Sequence, residues 1–191
     1  MDTNCIIIHG GPGDREPTKN HKMGEMHWMG WTKGKLNSLG IKTVNPSMPD
    51  PWNPRYEDYK HEFEKYPVDD NTILIGHSRG TAFLVHWLGD TKQKISKLIL
   101  VAPWKVVVDD VGEEKLKTKF YDFAIDPTIK DRVGEIIYFT SDNEEKEGKE
   151  SLKIFYDAIG GKIIDLPNHG HYVIDEMGTE EFPELLEEMT H

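Results

Sequence analysis

A serine between two glycines stands near the middle of the chain, where its hydroxyl could act as a nucleophile. The stretch Gly76-His77-Ser78-Arg79-Gly80 follows the short apolar run Thr72–Ile75, and apolar residues recur at helical spacing from Phe83 onward. A strand, a tight turn and a helix in this order hold the serine hydroxyl above the edge of a sheet. Glycine on either side avoids collisions with the neighbouring backbone. The pattern predicts a nucleophile elbow at Ser78.

Two backbone positions could stabilise a developing oxyanion beside that serine. The apolar run Cys5–Ile8 predicts a buried strand that ends in a glycine-rich loop, and free N–H groups at such a strand end can bind a negatively charged oxygen. Taken alone, the loop fits an ordinary turn equally well. Together with the elbow, it predicts Gly11 as one donor and the backbone of Arg79 as the other. The Arg79 side chain is expected in solvent and that of His77 in the packing.

The base that would activate the serine is expected after the last strand. A serine hydroxyl is a weak nucleophile until a base takes its proton, and in sheets of this kind the histidine follows the last strand. The predicted last strand, Lys162–Leu166, runs into Pro167-Asn168-His169-Gly170-His171-Tyr172. Gly170 lets the loop bend back, so we predict His171 as the base. His169 is the competing candidate.

A carboxylate that orients the imidazole has two candidates. Asp142 and Glu144 both follow a predicted strand that ends at Thr140. Asp142 is the more usual residue type and is nearer to the strand, whereas Glu144 has an extra methylene and reaches from farther along. An ordinary solvated acidic turn is the alternative interpretation of this segment. The residues alone leave both carboxylates open.

The scaffold is predicted by apolar runs that alternate with helical patterns. Continuous apolar strands are typical of a parallel sheet covered by helices on both faces. We therefore predict an α/β fold, a three-layer α/β/α sandwich with a mostly parallel sheet of five or six strands. It is expected to form a single domain over residues 1–191, with a small excursion at about 105–132 over the active-site face. The predicted strands are Cys5–Ile8, Ile41–Val44, Thr72–Ile75, Ile95–Val101, Gly134–Thr140 and Lys162–Leu166.

Composition excludes several classes of partner. A formal net charge of -11 repels phosphate backbones and anionic headgroups, so neither nucleic acid nor a membrane is expected as a partner. No basic region followed by a long apolar stretch begins the chain, and no segment reaches the roughly 18 apolar residues that span a bilayer. The expected location is the cytoplasm. The single cysteine, Cys5, is expected to be a buried and inert thiol.

With these motifs the chain resembles the α/β-hydrolase superfamily, and within it the small serine hydrolases similar to retinoblastoma-binding protein 9 and its bacterial relatives. The resemblance runs nearly end to end and implies the compact α/β-hydrolase fold with a Ser-His-acid triad. In that family the acid usually stands three residues after a serine, as Ser-x-x-Asp-Pro. Carried over, Ser141 selects Glu144, although the aspartate and the proline are absent here. The segments that carry the resemblance are Ile6–Gly13, Trp28–Trp31, Met48–Pro51, Ile75–Ser78 and Gly170–Tyr172.

The sequence therefore predicts a carboxylesterase-like serine hydrolase that cleaves a small ester or amide through an acyl-enzyme intermediate. Ser78 would attack, His171 would move the proton, and Glu144 or Asp142 would orient the imidazole. No metal or organic cofactor is implied. One alternative is a non-catalytic protein-binding module on a hydrolase scaffold, with an unidentified partner protein. Another is a metal-dependent hydrolase that uses His169 and His171, although His-x-His alone is a weak metal signal.

Overall fold

The sheet of this protein is parallel throughout its described part. The computed structural model describes residues 3–12, 23–106 and 119–190. Six strands in these ranges pair in parallel in the order β2-β1-β3-β4-β5-β6, which confirms the predicted α/β architecture. The strands are β1 Asn4–Ile8, β2 Lys42–Val44, β3 Ile73–His77, β4 Ile95–Val101, β5 Val133–Ser141 and β6 Lys162–Leu166.

Helices cover the sheet on both faces because alternate residues of each strand point to opposite sides. Along β4, Leu98 and Leu100 join one buried cluster, and Ile99 and Val101 join the other. The first cluster contains side chains of α2, α3 and α4, and the second contains side chains of α1 and α6. The helices are α1 Met29–Ser38, α2 Tyr56–Phe63, α3 Arg79–Thr91, α4 Lys146–Ile159, α5 Ile174–Met177 and α6 Pro183–Thr190.

The four-residue helix α5 was not predicted, because so short a segment carries little periodic signal. Residues 107–118 of the predicted excursion lie outside the described residues, and the single-domain organisation stays a prediction. Cys5 is fully buried, and burial raises the pKa of its thiol. A helix with the length and hydropathy of a bilayer span is not found within residues 3–12, 23–106 and 119–190.

The strand order brings two separate loops together at one edge of the sheet. β1 lies between β2 and β3, so the chain leaves β1 in one direction and returns on its other side. In open α/β sheets, ligands bind at the carboxyl ends of the strands where the order reverses in this way. Here the glycine loop after β1 meets the serine after β3: a Cβ added to Gly10 would lie 3.0 Å from the Cβ of Ser78.

Candidate active site

The turn between β3 and α3 has the backbone of a strained elbow. Ser78 has φ 51° and ψ −118°, a conformation that L residues rarely adopt. The flanking glycines are required for the close approach of neighbouring backbone. A Cβ on Gly80 would lie 2.3 Å from the Ile8 carbonyl oxygen, and one on Gly76 would lie 2.8 Å from the carbonyl carbon of Gly80. A side chain at either position would collide with neighbouring backbone, as predicted from the sequence.

Glycine at position 78 is expected to stabilise the protein relative to alanine at the same position. Neither variant has the hydroxyl, so the comparison isolates the backbone strain at the φ of 51°. Relief of that strain outweighs the larger conformational entropy that glycine loses on folding. The free energy of unfolding of Ser78→Gly should therefore exceed that of Ser78→Ala by about 1 kcal/mol. Urea denaturation of Ser78→Gly and Ser78→Ala measures it. Equal stabilities would show that position 78 carries no strain.

Three side chains from distant parts of the chain form a continuous line of hydrogen bonds. His171 Nε2 lies 2.8 Å from Ser78 Oγ, and His171 Nδ1 lies 3.0 and 3.1 Å from the two carboxylate oxygens of Glu144. A carboxylate can only accept, so Nδ1 carries the proton and donates it to Glu144. Nε2 is then unprotonated and accepts from the serine hydroxyl. This is the tautomer that a general base requires.

The loop that carries His171 is held by polar groups at the end of β5 and in the loop that follows it. Ser141 Oγ accepts from the backbone N–H of His169 at 2.9 Å, and Asn143 Oδ1 accepts from that of Gly170 at 2.8 Å. Asp142 Oδ1 accepts from the N–H of Asn168 at 2.8 Å. This bond holds the pKa of the Asp142 carboxyl below its usual range. Asp142 is exposed and contacts the backbone of the loop, whereas Glu144 contacts the imidazole.

The Glu144 side chain is almost fully buried, at 1% exposure. Space for it is provided by a glycine in the first turn of α4: a Cβ on Gly148 would lie 2.7 Å from Glu144 Cδ. Glu144 Oε1 also accepts from the backbone N–H of Glu145 at 2.9 Å. The missing side chain at position 148 therefore accommodates the extra methylene of a glutamate at this point of the fold.

His77 lies beneath the site as a buried neutral imidazole. Its Nε2 lies 2.8 Å from the carbonyl oxygen of His171, which can only accept, so Nε2 carries the proton. Burial, followed by the neighbouring His171 and His27, lowers the pKa of His77 well below its usual value. His77 therefore packs in the interior, as predicted, and also supports the backbone at His171.

The neutral state of His77 makes stability depend on pH. Below about pH 6.5 the imidazole takes up a proton in the unfolded chain but not in the folded one. The free energy of unfolding therefore decreases as the pH is lowered, by up to about 1.4 kcal/mol per pH unit. Replacing His77 by glutamine is expected to remove this share of the slope between pH 6.5 and 5. Urea denaturation at several pH values measures the slope. Identical slopes in both proteins would contradict the prediction.

The side chain of Arg79 is buried, so the expectation that it lies in solvent is wrong. It is 9% exposed, and it donates from Nε to the Tyr121 hydroxyl at 3.1 Å and from Nη1 to the Pro51 carbonyl oxygen. The guanidinium packs against Gly11, where an added Cβ would lie 2.7 Å from Nη2. The backbone N–H of Arg79 is at the first residue of α3, where no intrahelical carbonyl is available to it.

A cavity of about 240 Å³ opens above Ser78. Several of its lining residues were not among the predicted site residues. Trp104 follows β4 and places its ring edge-on to the His171 ring at 5.2 Å. The sequence indicates Trp104 as a possible site residue only through its position shortly after the predicted strand Ile95–Val101. His169, the competing candidate for the general base, donates from Nδ1 to the Pro167 carbonyl oxygen. The cavity is lined by Gly11, Pro12, His27, His77, Ser78, Arg79, Trp104, Tyr121, Glu145, His171 and Val173.

Within residues 3–12, 23–106 and 119–190, no group of three or more His, Cys, Asp or Glu side chains is arranged to hold a metal ion.

Similarity to known proteins identifies the family of this chain. A family model described as serine hydrolase matches residues 20–191. The chain belongs to this serine hydrolase family. A curated relative named as a hydrolase, YdeN of Bacillus subtilis (strain 168), is 30% identical over 106 residues, which are 53% of this chain and 51% of the relative. That sequence match spans about half of the relative's length.

Solved structures similar to this serine hydrolase share its fold. The ydeN gene product of B. subtilis superposes with a TM-score of 0.81 at 21% identity, over 98% of this chain and 97% of that one. Est1E from Butyrivibrio proteoclasticus gives 0.61 at 14% identity, over 100% and 89%. The methylesterase MES16 from Arabidopsis gives 0.64 at 14% identity, over 98% and 99%. These likenesses confirm the predicted α/β-hydrolase fold. The finer resemblance to retinoblastoma-binding protein 9 stays a prediction.

Proposed function

We propose that this serine hydrolase cleaves a small ester or amide, with Ser78 as nucleophile, His171 as general base and Glu144 as the orienting acid. The observation that carries the proposal is the unbroken line of hydrogen bonds from Ser78 Oγ through the imidazole to the buried Glu144 carboxylate. The family match and the hydrolase-named relative support hydrolysis. The carboxylate contact favours Glu144 over Asp142.

The proposed reaction has two halves. Ser78 Oγ attacks the substrate carbonyl carbon while His171 Nε2 takes the hydroxyl proton. The tetrahedral intermediate collapses when the bond to the leaving group breaks and His171 returns the proton to that group. In the second half, water attacks the acyl carbon while His171 takes a proton from the water. The bond between the acyl carbon and Ser78 Oγ then breaks, and His171 returns the proton to Oγ. Glu144 stabilises the imidazolium that forms in each half.

Backbone N–H groups of Arg79 and Gly11 are the proposed oxyanion donors. The N–H of Arg79 lies at the start of α3, where the helix dipole also favours negative charge. Gly11 lines the same cavity as Ser78. Removal of one such donor lowers kcat by about 10²- to 10³-fold in comparable sites. The cavity volume of about 240 Å³ is slightly below the range of about 300 to 1,000 Å³ that is typical of ligand pockets, which supports a substrate of modest size.

A fluorophosphonate probe tests the proposal directly. The folded protein is expected to form one covalent adduct, located at Ser78 by peptide mass spectrometry, and to hydrolyse at least one of a panel of short acyl esters and aminoacyl amides. Heat-denatured protein and Ser78→Ala are the controls and should form no adduct. A folded protein that neither reacts with the probe nor hydrolyses any ester or amide of the panel would contradict the proposal and favour the protein-binding alternative.

The space at Gly148 gives a further prediction. Replacing Gly148 by alanine is expected to push the Glu144 carboxylate away from His171, because the new Cβ would lie 2.7 to 2.9 Å from three Glu144 atoms. A displacement on the order of 1 Å lowers kcat by about 10²-fold. Steady-state ester hydrolysis measures the loss. Gly34→Ala in α1 is the matched control, since its Cβ would meet nothing within 4 Å; equal activities in the two variants would contradict the prediction.

A further inference from the structure

The buried guanidinium of Arg79 has only neutral hydrogen-bond partners in the described part of the chain. Nε donates to the Tyr121 hydroxyl and Nη1 donates to the Pro51 carbonyl oxygen. No carboxylate in the described residues forms an ion pair with it. Buried charges in proteins are ordinarily paired, because removing an unpaired charge from water is strongly unfavourable. A counter-ion for Arg79 is therefore missing from this part of the protein.

The position of that charge indicates what would supply the counter-ion. Arg79 and Ser78 line the same cavity, and Nη2 lies on the side of Gly11, which lines it too. Three carboxylates have to be considered as counter-ions, and the first, Asp50, precedes Pro51 in the chain and is exposed to water. Glu144 is already bound to His171, and Glu145 is an exposed residue at the cavity, where water screens its charge. An anionic group that enters the cavity could therefore reach the guanidinium.

We propose that Arg79 binds a carboxylate group of the substrate, so that the protein prefers carboxylate-bearing esters or amides to neutral ones of equal size. This inference rests on the proposed function. A guanidinium forms strong, charge-assisted hydrogen bonds to a carboxylate, and it is always charged. In a chain with a net charge of -11, a buried cation beside the nucleophile is a specific attraction in an otherwise repulsive field. The expected preference is about 10- to 100-fold in kcat/KM.

The competing explanation is that Arg79 only braces the cavity wall. It joins α3 to Pro51 and to Tyr121, so its loss could distort the site. A brace would affect charged and neutral substrates alike. The ratio of their kcat/KM values therefore separates recognition of a carboxylate from a structural role.

The assay uses two pairs of esters that differ only in charge. For a carboxylate on the acyl group, monoethyl succinate is compared with ethyl 4-oxopentanoate. For a carboxylate on the leaving group, 4-acetoxybenzoate is compared with 4-acetoxybenzamide. The wild type is expected to favour the anion in one pair, and the pair that shows it tells which side of the scissile bond Arg79 reads. Arg79→Gln should lower that ratio by about 10- to 100-fold, and Arg79→Lys should retain part of it.

Two controls complete the test. Arg55→Gln removes an exposed arginine at the start of α2 and should leave the ratio unchanged. If Arg79→Gln does not fold, NMR titration of the wild type with butyrate and with butyramide replaces it, and butyrate should bind at least about 10-fold more tightly.

The outcomes separate the two proposals. A wild-type ratio at or below one in both pairs, a ratio that Arg79→Gln leaves unchanged, or equal binding of butyrate and butyramide would overturn the role of Arg79. In each case hydrolysis of neutral esters and labelling of Ser78 would leave the proposed function standing. A protein without hydrolysis and without labelling would overturn both.

Discussion

Replacing Ser78 by alanine is expected to lower kcat/KM for a good ester substrate by on the order of 10⁴- to 10⁶-fold. The Ser78 hydroxyl is the group that would form the bond to the acyl carbon, and it lies 2.8 Å from the imidazole nitrogen that would take its proton. Alanine keeps the Cβ and the elbow but has no atom that can attack. Residual turnover would come from the oxyanion donors and from substrate binding alone.

Steady-state kinetics with Ser38→Ala as control makes this measurement specific. Ser38 is an exposed serine near the end of α1, whose hydroxyl donates to the Gly34 carbonyl oxygen. Its loss should leave kcat/KM unchanged, while Ser78→Ala should retain the circular dichroism spectrum of the wild type. A folded Ser78→Ala protein with a tenth or more of the wild-type activity would show that another group is the nucleophile.

The elbow could be predicted from the sequence because its determinants are close together in the chain. An apolar strand, two glycines around a serine and a helical pattern all fall between Thr72 and Trp87. His171 could be predicted almost as well. The carboxyl ends of parallel strands meet at one edge of the sheet, so a histidine after the last strand lies on the same edge as Ser78.

The orientation of Arg79 could not be predicted in this way. Its side chain is held by Tyr121, which is 42 residues away, and by the carbonyl of Pro51, which is 28 residues away. Nothing in the local pattern indicates these partners, and an arginine at the variable position of an elbow is ordinarily assigned to solvent. Burial of this charge is a property of the tertiary structure, and it is the property on which the proposed substrate preference depends.

The choice between the two acids depends on tertiary contacts in the same way. Asp142 and Glu144 are two residues apart on one loop, and the sequence alone leaves both open. The backbone N–H of Asn168 binds the first, while the free space at Gly148 lets the second reach His171 from a buried position. The groups that distinguish the two carboxylates, the Asn168 N–H and the His171 ring, lie 26 and 27 residues farther along the chain.

Glu144→Gln is therefore expected to lower kcat on the order of 10⁴-fold, as loss of the carboxylate does in related sites. A neutral amide cannot stabilise the imidazolium, and its NH₂ group can donate to Nδ1 and favour the wrong tautomer of His171. The matched substitution Asp142→Asn is expected to leave kcat within about tenfold of wild type, because the new side-chain oxygen can still accept from the Asn168 N–H.

Ester hydrolysis by the two variants under identical conditions decides between the acids. Both substitutions replace a carboxylate by an amide of the same shape, so their different effects report what each carboxylate contacts. The larger loss should fall on the group that lies 3.0 Å from His171 Nδ1. If Asp142→Asn caused the larger loss, Asp142 would have to reach the imidazole during turnover and the His171 loop would have to rearrange. If neither change slowed hydrolysis, the imidazole would act without a carboxylate partner.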